Sequence, residues 1–243
     1  MTKTLRSFLL ISSGVLALGL TACQTASTPP SMNEAEMVDR ALIRAADQVA
    51  AQGITQDSLQ ILEKVYKRNP QDPEGAVRYA RALRETGDAT KAAIVLKPFA
   101  EDPNTSPVLK MEYAAVQLEA GRYEIAEETA RTALKQEPES GYGYHLLGTA
   151  QAAQGLHEDA EQSFRKALAN WTGDPVPVMN NLALSLAAQH KLDEAVDILE
   201  QAKEADPSRV EIERNLRIVK ALQETFSYEP SAGRGNAPVN PKE

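Results

Sequence analysis

Cys23 is the only thiol in this 243-residue chain, and His145, His157 and His190 are its only imidazoles. A thiol can serve as nucleophile, metal ligand or site of alkylation, and an imidazole as general base or ligand. Each role needs a partner at a workable spacing. No such spacing is present. The histidines are 12 and 33 residues apart, so no two of them share a helical turn. One cysteine permits no internal disulfide and cannot complete a zinc site alone. The chain has no Gly-rich phosphate loop and no nucleophile elbow. Its 34 acidic residues are scattered along stretches of helical composition, where solvated charge is the ordinary state. No catalytic residue, metal ligand, cofactor or small-molecule substrate is therefore expected. An enzyme, which would need a paired-carboxylate site, is the weakest reading. A formal net charge of −8 argues against nucleic acid as a partner, since phosphate binding takes clustered Lys and Arg.

What remains is the chemistry of Cys23 and its neighbours. Lys3 and Arg6 precede an apolar run of 13 residues, Phe8 to Leu20. At about 1.5 Å per residue such a helix spans roughly 20 Å, short of the roughly 30 Å of a bilayer core. Residues 1–22 therefore read as a signal peptide and not as a membrane span. Leu20-Thr21-Ala22-Cys23 resembles the bacterial lipobox, in which diacylglycerol is transferred to the thiol before the chain is cut in front of it. Small side chains at Thr21 and Ala22 suit a peptidase cleft. The resemblance implies lipidation of Cys23 and a multi-acyl anchor, where a single chain would hold only marginally. Gln24 stands where Asp would favour retention at the inner membrane, which implies an outer-membrane protein facing the periplasm. Thr25 to Asn33, with Pro29 and Pro30, is a polar spacer, and residues 23–38 are read as lipidated Cys plus linker.

The elements behind this anchor are expected to be helical throughout. Ala, Leu, Glu, Lys, Gln and Arg dominate residues 41–205, and no stretch alternates in the manner of a strand. Gly53, Gly87, Gly121 and Gly155 recur every 34 residues, and Pro70, Pro103, Pro138 and Pro207 keep a related rhythm. A glycine just past a helix end adopts the left-handed conformation at little cost; in the fifth unit His190 occupies that place. The period sets repeats starting near 39, 73, 107, 141 and 176, the last after one inserted residue. A sixth first helix from 210 carries Arg217 and Lys220 where a further helix would pack. It is therefore expected to be a polar cap. Pro98 should shorten or kink the second helix of the second repeat. Residues 227–243, with Pro230, Pro238 and Pro241, are expected to be disordered.

The small and large positions of this period resemble the tetratricopeptide repeat. The eighth position holds Ala46, Ala80, Ala114, Gly148 and Ala183, and the twentieth holds Ser58, Ala92, Ala126, Ala160 and Ala195. Val65 and Phe99 are bulky at the twenty-seventh, where Ala133, Ala167 and Ala202 are small. Tyr79, Tyr113, Leu147, Leu182, Leu62, Leu96, Phe164 and Leu199 supply the large side chains. The resemblance covers residues 39–226 and implies an all-α superhelix of about five helix–turn–helix repeats plus the cap.

In that family, positions two, five, nine and twelve face the groove lined by first helices. The groove residues so implied are Val77, Arg81, Arg84, Val108, Met111, Leu118, Tyr142, His145, Asn180 and Leu184, with Asn181 beside them. An apolar middle bordered by Arg81 and Arg84 suits a protein segment with apolar anchors and an acidic flank. His145 reads as a contact or core residue rather than a titrating switch, and His157 as solvent-facing. The lipobox, the repeats and the run Val178 to Ala187, followed by Leu192-Asp193-Glu194-Ala195, resemble the TadD family of Flp (tight-adherence) pilus lipoproteins. That resemblance implies a pilotin-like scaffold that helps assemble or localise a secretin. The alternative is a general envelope adaptor recruiting peptidoglycan hydrolases or barrel-assembly factors.

Overall fold

The computed structural model describes residues 33–53 and 55–227. The signal peptide, Cys23, the spacer up to residue 32 and the tail beyond Ser227 lie outside the described residues. Among the described residues there are eleven helices and no strand. They are α1 (Glu34–Ala51), α2 (Thr55–Arg68), α3 (Pro73–Glu85), α4 (Ala89–Ala100), α5 (Pro107–Glu119), α6 (Tyr123–Gln136), α7 (Gly141–Ala153), α8 (His157–Ala169), α9 (Val176–Ala188), α10 (Leu192–Ala205) and α11 (Val210–Ser227). The all-α expectation holds.

Local chemistry starts and stops these helices. Asn33 and Glu36 form a reciprocal capping box that starts α1 five residues ahead of Asp39. Asp72, Ser106 and Ser140 cap α3, α5 and α7 through their side chains, and Pro73 and Pro107 occupy first-turn positions where no donor is lost. The turns between paired helices use Gly53, Gly87, Gly121 and Gly155 at φ of 81°, 89°, 71° and 78°, and His190 takes the same conformation at φ 60°. Pro98 sits inside α4, which continues to Ala100 and is the shortest of the second helices at 12 residues. The carbonyl of Ile94 that Pro98 cannot bond lies on an exposed residue, where water can serve it.

Each first helix packs on its own second helix and on the next first helix: α1 meets α3, α3 meets α5, α5 meets α7, α7 meets α9 and α9 meets α11. Second helices make no comparable series among themselves. This asymmetry curves the array and leaves the odd-numbered helices as one continuous inner face. Small residues make the close approach possible: Ala46, Ala80, Ala114 and Ala183 are fully buried. At Gly148 the neighbour is the ring of Phe164, which fills the space that an alanine Cβ takes in the other repeats. Bulky Val65 is accommodated fully buried beside Gly75, while Phe99 is half-buried.

Candidate functional site

The capped starts of the first helices set the register of the inner face. A cleft of about 440 Å³ opens between the amino-terminal turns of α3 and α5, lined by residues that include Val77, Arg81, Ser106 and Val108. Val108 is 54% exposed and Tyr142, at the same repeat position in α7, is also exposed. Exposed apolar side chains at the start of two adjacent helices are what a partner would cover.

The arginines beside them are committed. Arg81 donates from Nε and Nη2 to Glu112 Oε2 at 3.0 and 2.9 Å, and Arg84 donates from Nε to Oε1 at 2.9 Å. Arg84 Nη1 also donates to Glu119 Oε1 at 2.6 Å. Glu112 is 1% exposed, so its charge depends on this fork geometry. Burial opposes the charge on Arg84, but its hydrogen bonds to Glu119 and Glu112 outweigh burial and hold its proton more tightly than water does. The expected acidic flank on a partner therefore meets arginines already offset by Glu112 and Glu119. The sequence reading set Arg81 and Arg84 opposite an acidic flank without these two glutamates in view. Tyr142 is 39% exposed, and the burial of the rest of the side chain, then the charge of Glu112, push its hydroxyl above its ordinary range, with Arg84 and Arg81 opposing.

Met111 does not reach the open face. It is 4% exposed and lies in the interior, where Ser140 Oγ donates to its sulfur at 3.4 Å. A Cβ on Gly143 would come within 3.2 Å of the Met111 methyl, so the missing side chain at Gly143 draws Met111 inward. Leu118 and Val77 are half-buried.

His145 is half-buried against Phe164 and edge-on to Trp171, with ring centroids 6.0 and 5.4 Å away. Burial depresses its pKa to about 4, so the ring is neutral at pH 7. Asn181 Nδ2 lies 3.1 Å from Nε2, which as acceptor leaves the proton on Nδ1, a buried atom with no partner. His157 is not simply solvent-facing: it is half-buried, and its Nδ1 too is buried without a partner.

Asn180 is engaged within the array. Its Oδ1 accepts from Asn215 Nδ2 at 2.7 Å, and its Nδ2 donates to Asn181 Oδ1 at 3.4 Å. The amides thus join α11, α9 and, through His145, α7. One turn beyond this row, Leu184 is 42% exposed on α9 and Ile218 is 52% exposed on α11, with Leu222 exposed one turn further. Sequence reasoning left out Ile218 and Leu222 because Arg217 and Lys220 marked α11 as polar. The signal that could have found them is that Ile218 holds the ninth position of its helix, in register with Leu184.

Among the described residues no helix is long and apolar enough to cross a membrane, and no group of three or more His, Cys, Asp or Glu could hold a metal ion. Two family models described as tetratricopeptide repeat match the chain, one over residues 39–104 and 114–175 and another over 176–209. No curated protein sequence matches it. Among solved structures it is similar to a thermophilic tetratricopeptide protein of Thermus thermophilus, at 23% identity over 75% of this chain and 99% of that one, with a TM-score of 0.63. MamA of Desulfovibrio magneticus matches at 19% identity over 74% and 99%, TM-score 0.59. A tetratricopeptide repeat protein of Parabacteroides merdae matches at 16% over 79% and 75%, TM-score 0.60. At these identities the likeness is one of fold.

Proposed function

The chain belongs to the tetratricopeptide repeat family, whose repeats are protein–protein interaction scaffolds, and from that premise we propose that its first-helix face holds a segment of another envelope protein. The observation that carries this reading is the row of exposed apolar side chains on one continuous face, Val108, Tyr142 and Leu184 among them. A free face of this kind, with its polar neighbours already bonded to each other, gains most from a partner that contributes apolar anchors.

In the fuller reading, Cys23 is lipidated and tethers the array to the periplasmic side of the outer membrane. The partner is then a secretin of a Flp-type pilus system. Tethering raises the effective concentration of face and partner where they meet. Support for this comes from Leu20-Thr21-Ala22-Cys23, from Gln24, and from the stretch Val178 to Ala187 with Leu192 to Ala195 that resembles TadD.

Cys23→Ser tests it. The variant should keep the helical signal of the array, leave the membrane fraction and lower the yield of secretin multimers. Unchanged multimers refute the secretin role. Crosslinks to a peptidoglycan hydrolase or a barrel-assembly component would replace it with the general envelope adaptor.

A further inference from the structure

On the side of the array away from the first-helix face, a cleft of about 390 Å³ opens between α6 and α8, with α7 as its floor. Arg131 and Lys135 of α6, Tyr144 and Leu147 of α7, and Ser163 and Lys166 of α8 line it. Tyr144, Leu147 and Gln151 share one side of α7, and Tyr142 and His145 lie on the opposite side. One repeat later the same crossing is closed by ion pairs, Arg165 to Glu194 and Lys191 to Glu161. Arg131 and Asp159 hold the places of Arg165 and Glu194, but they make no ion pair with each other. Arg131 instead folds back along its own helix, donating from Nε and Nη2 to Glu127 Oε1 at 3.0 and 2.7 Å.

The wall of the cleft offers donors without acceptors. Gln151 is 2% exposed; its Nε2 donates to Ser163 Oγ at 2.6 Å and to the Asp159 carbonyl at 3.2 Å, and its Oε1 accepts from Arg131 Nη2 at 3.0 Å. Both ends of the amide are satisfied in this way. The hydroxyl proton of Ser163, a residue only 6% exposed, is left with no acceptor. Lys166 stands over the Tyr144 ring, 5.4 Å from its centroid, and neither it nor Lys135 has a carboxylate partner among the described residues. Two carboxylates face the cleft. Glu127 is taken up by Arg131 and Gln154, and Asp159 lies seven residues before Lys166, about 10 Å back along α8. The cleft therefore has a cationic end and a carboxylate end, with Ser163 between them. Dipole compensation, the ordinary work of a last-turn lysine, accounts for Lys135 and Lys166 but not for the free Ser163 proton.

We propose that this cleft binds the phosphate monoester of a small polyol. The phosphate lies among Lys135, Lys166, Arg131 Nη1 and Ser163 Oγ, the carbon skeleton rests against Tyr144, and a hydroxyl donates to Asp159. A phosphate monoester carries close to two negative charges at pH 7 and three free oxygens, which suits donors arriving from both α6 and α8. A planar carboxylate presents only two oxygens, the match for a single arginine fork. A lipid headgroup and a soluble ester share this chemistry. The site owes nothing to the first-helix face or to the protein partner proposed for it.

NMR titration of the full chain tests it, with glycerol 3-phosphate, inorganic phosphate, glycerol, and dihexanoyl phosphatidic acid below its micellar concentration as probes. Glycerol 3-phosphate or the phosphatidic acid should shift Lys135, Ser163 and Lys166, and glycerol at the same concentration should not. Lys135→Gln and Lys166→Gln should each weaken binding about fivefold or more, the order of one charged hydrogen bond at a partly open site. Lys166→Arg should keep most of the affinity, and Ser163→Ala should lower it while the melting temperature stays near wild type. A tighter response to the phosphatidic acid identifies a lipid headgroup as the source, and an equal or weaker one a soluble ester; either supports the site. Absence of shifts with both esters overturns the proposal, as do shifts spread over lysines elsewhere such as Lys64 and Lys97. Unchanged affinity in both lysine variants, or inorganic phosphate binding as tightly as the esters, overturns it equally. None of these outcomes bears on crosslinks from Val108 or Tyr142, so the two readings fail separately.

Discussion

Replacing Gly148 with alanine should destabilise the array, although alanine is the better helix former. A Cβ built at Gly148 would lie 2.8 Å from Cδ1 and Cε1 of Phe164 and 3.1 Å from Cγ. Comfortable carbon–carbon contact is about 3.5–4.0 Å, so the ring must retreat by roughly 0.7 Å or more. Phe164 is fully buried and also packs near His145, which leaves it little room to do so. Overpacking of this kind costs about 1–3 kcal/mol, and the propensity gain of alanine returns at most about 1 kcal/mol. The expected net loss is therefore about 1–2 kcal/mol. Other repeats show the remedy, since Ala80 and Ala183 stand in the same register with Leu96 and Leu199. Phe164→Leu alone should cost about 1–2 kcal/mol by opening a void over Gly148. Gly148→Ala with Phe164→Leu should cost less than the sum of the two, by about 1 kcal/mol or more. Urea titration followed by helical signal reads all four proteins. A Gly148→Ala chain as stable as wild type, or strictly additive losses, would refute the reasoning.

Three further outcomes are expected. Glu112→Gln takes from half-buried Arg84 one of its two carboxylate partners, leaving Glu119, and should cost roughly 2 kcal/mol, whereas Arg81→Gln, with 40% of its side chain exposed, should cost no more than about 1 kcal/mol in the same titration. His145 is held neutral in the fold, with its pKa lowered from 6.5 to about 4. Its contribution is thus complete above pH 6.5 and is lost as the pH falls toward 4, because only the unfolded chain takes up the proton in that window. Urea midpoints should fall there by an amount corresponding to about 2–3 kcal/mol, and His145→Gln should remove that part of the slope. Gly155→Ala should cost about 1 kcal/mol because φ is 78° there. His190→Gly at the equivalent turn should cost less, since relief of backbone strain offsets the lost contact with Phe226; thermal melts compare the two.

The fold was legible because its signals repeat. Turn glycines at a fixed spacing, and small residues at one position of each first helix, leave few ways to arrange the chain. The start of α1 was also written locally, in Asn33 and Glu36, but the 34-residue frame beginning at Asp39 hid it. The site was less legible, because exposure depends on what lies across the interface. Nothing at Met111 itself reveals that Gly143 on the next first helix makes room for it. Arg81 and Arg84 read as free charge until Glu112, about 30 positions later, arrives beneath them. Asn180 is taken up by Asn215 for the same reason. At α11 the error ran the other way: Arg217 and Lys220, read as the mark of a polar helix, drew attention from the exposed apolar side chains of Ile218 and Leu222 beside them.

Photo-crosslinking in cells tests the central claim most directly. A crosslinking amino acid is placed at Val108 or Tyr142 on the first-helix face, and, as a control, at Ile94 on α4, which is 69% exposed and belongs to a second helix. A scaffold that binds through its inner face should give the same discrete protein adduct from both inner positions and none from Ile94. Adducts of equal yield from all three positions, or from Ile94 alone, would contradict the account.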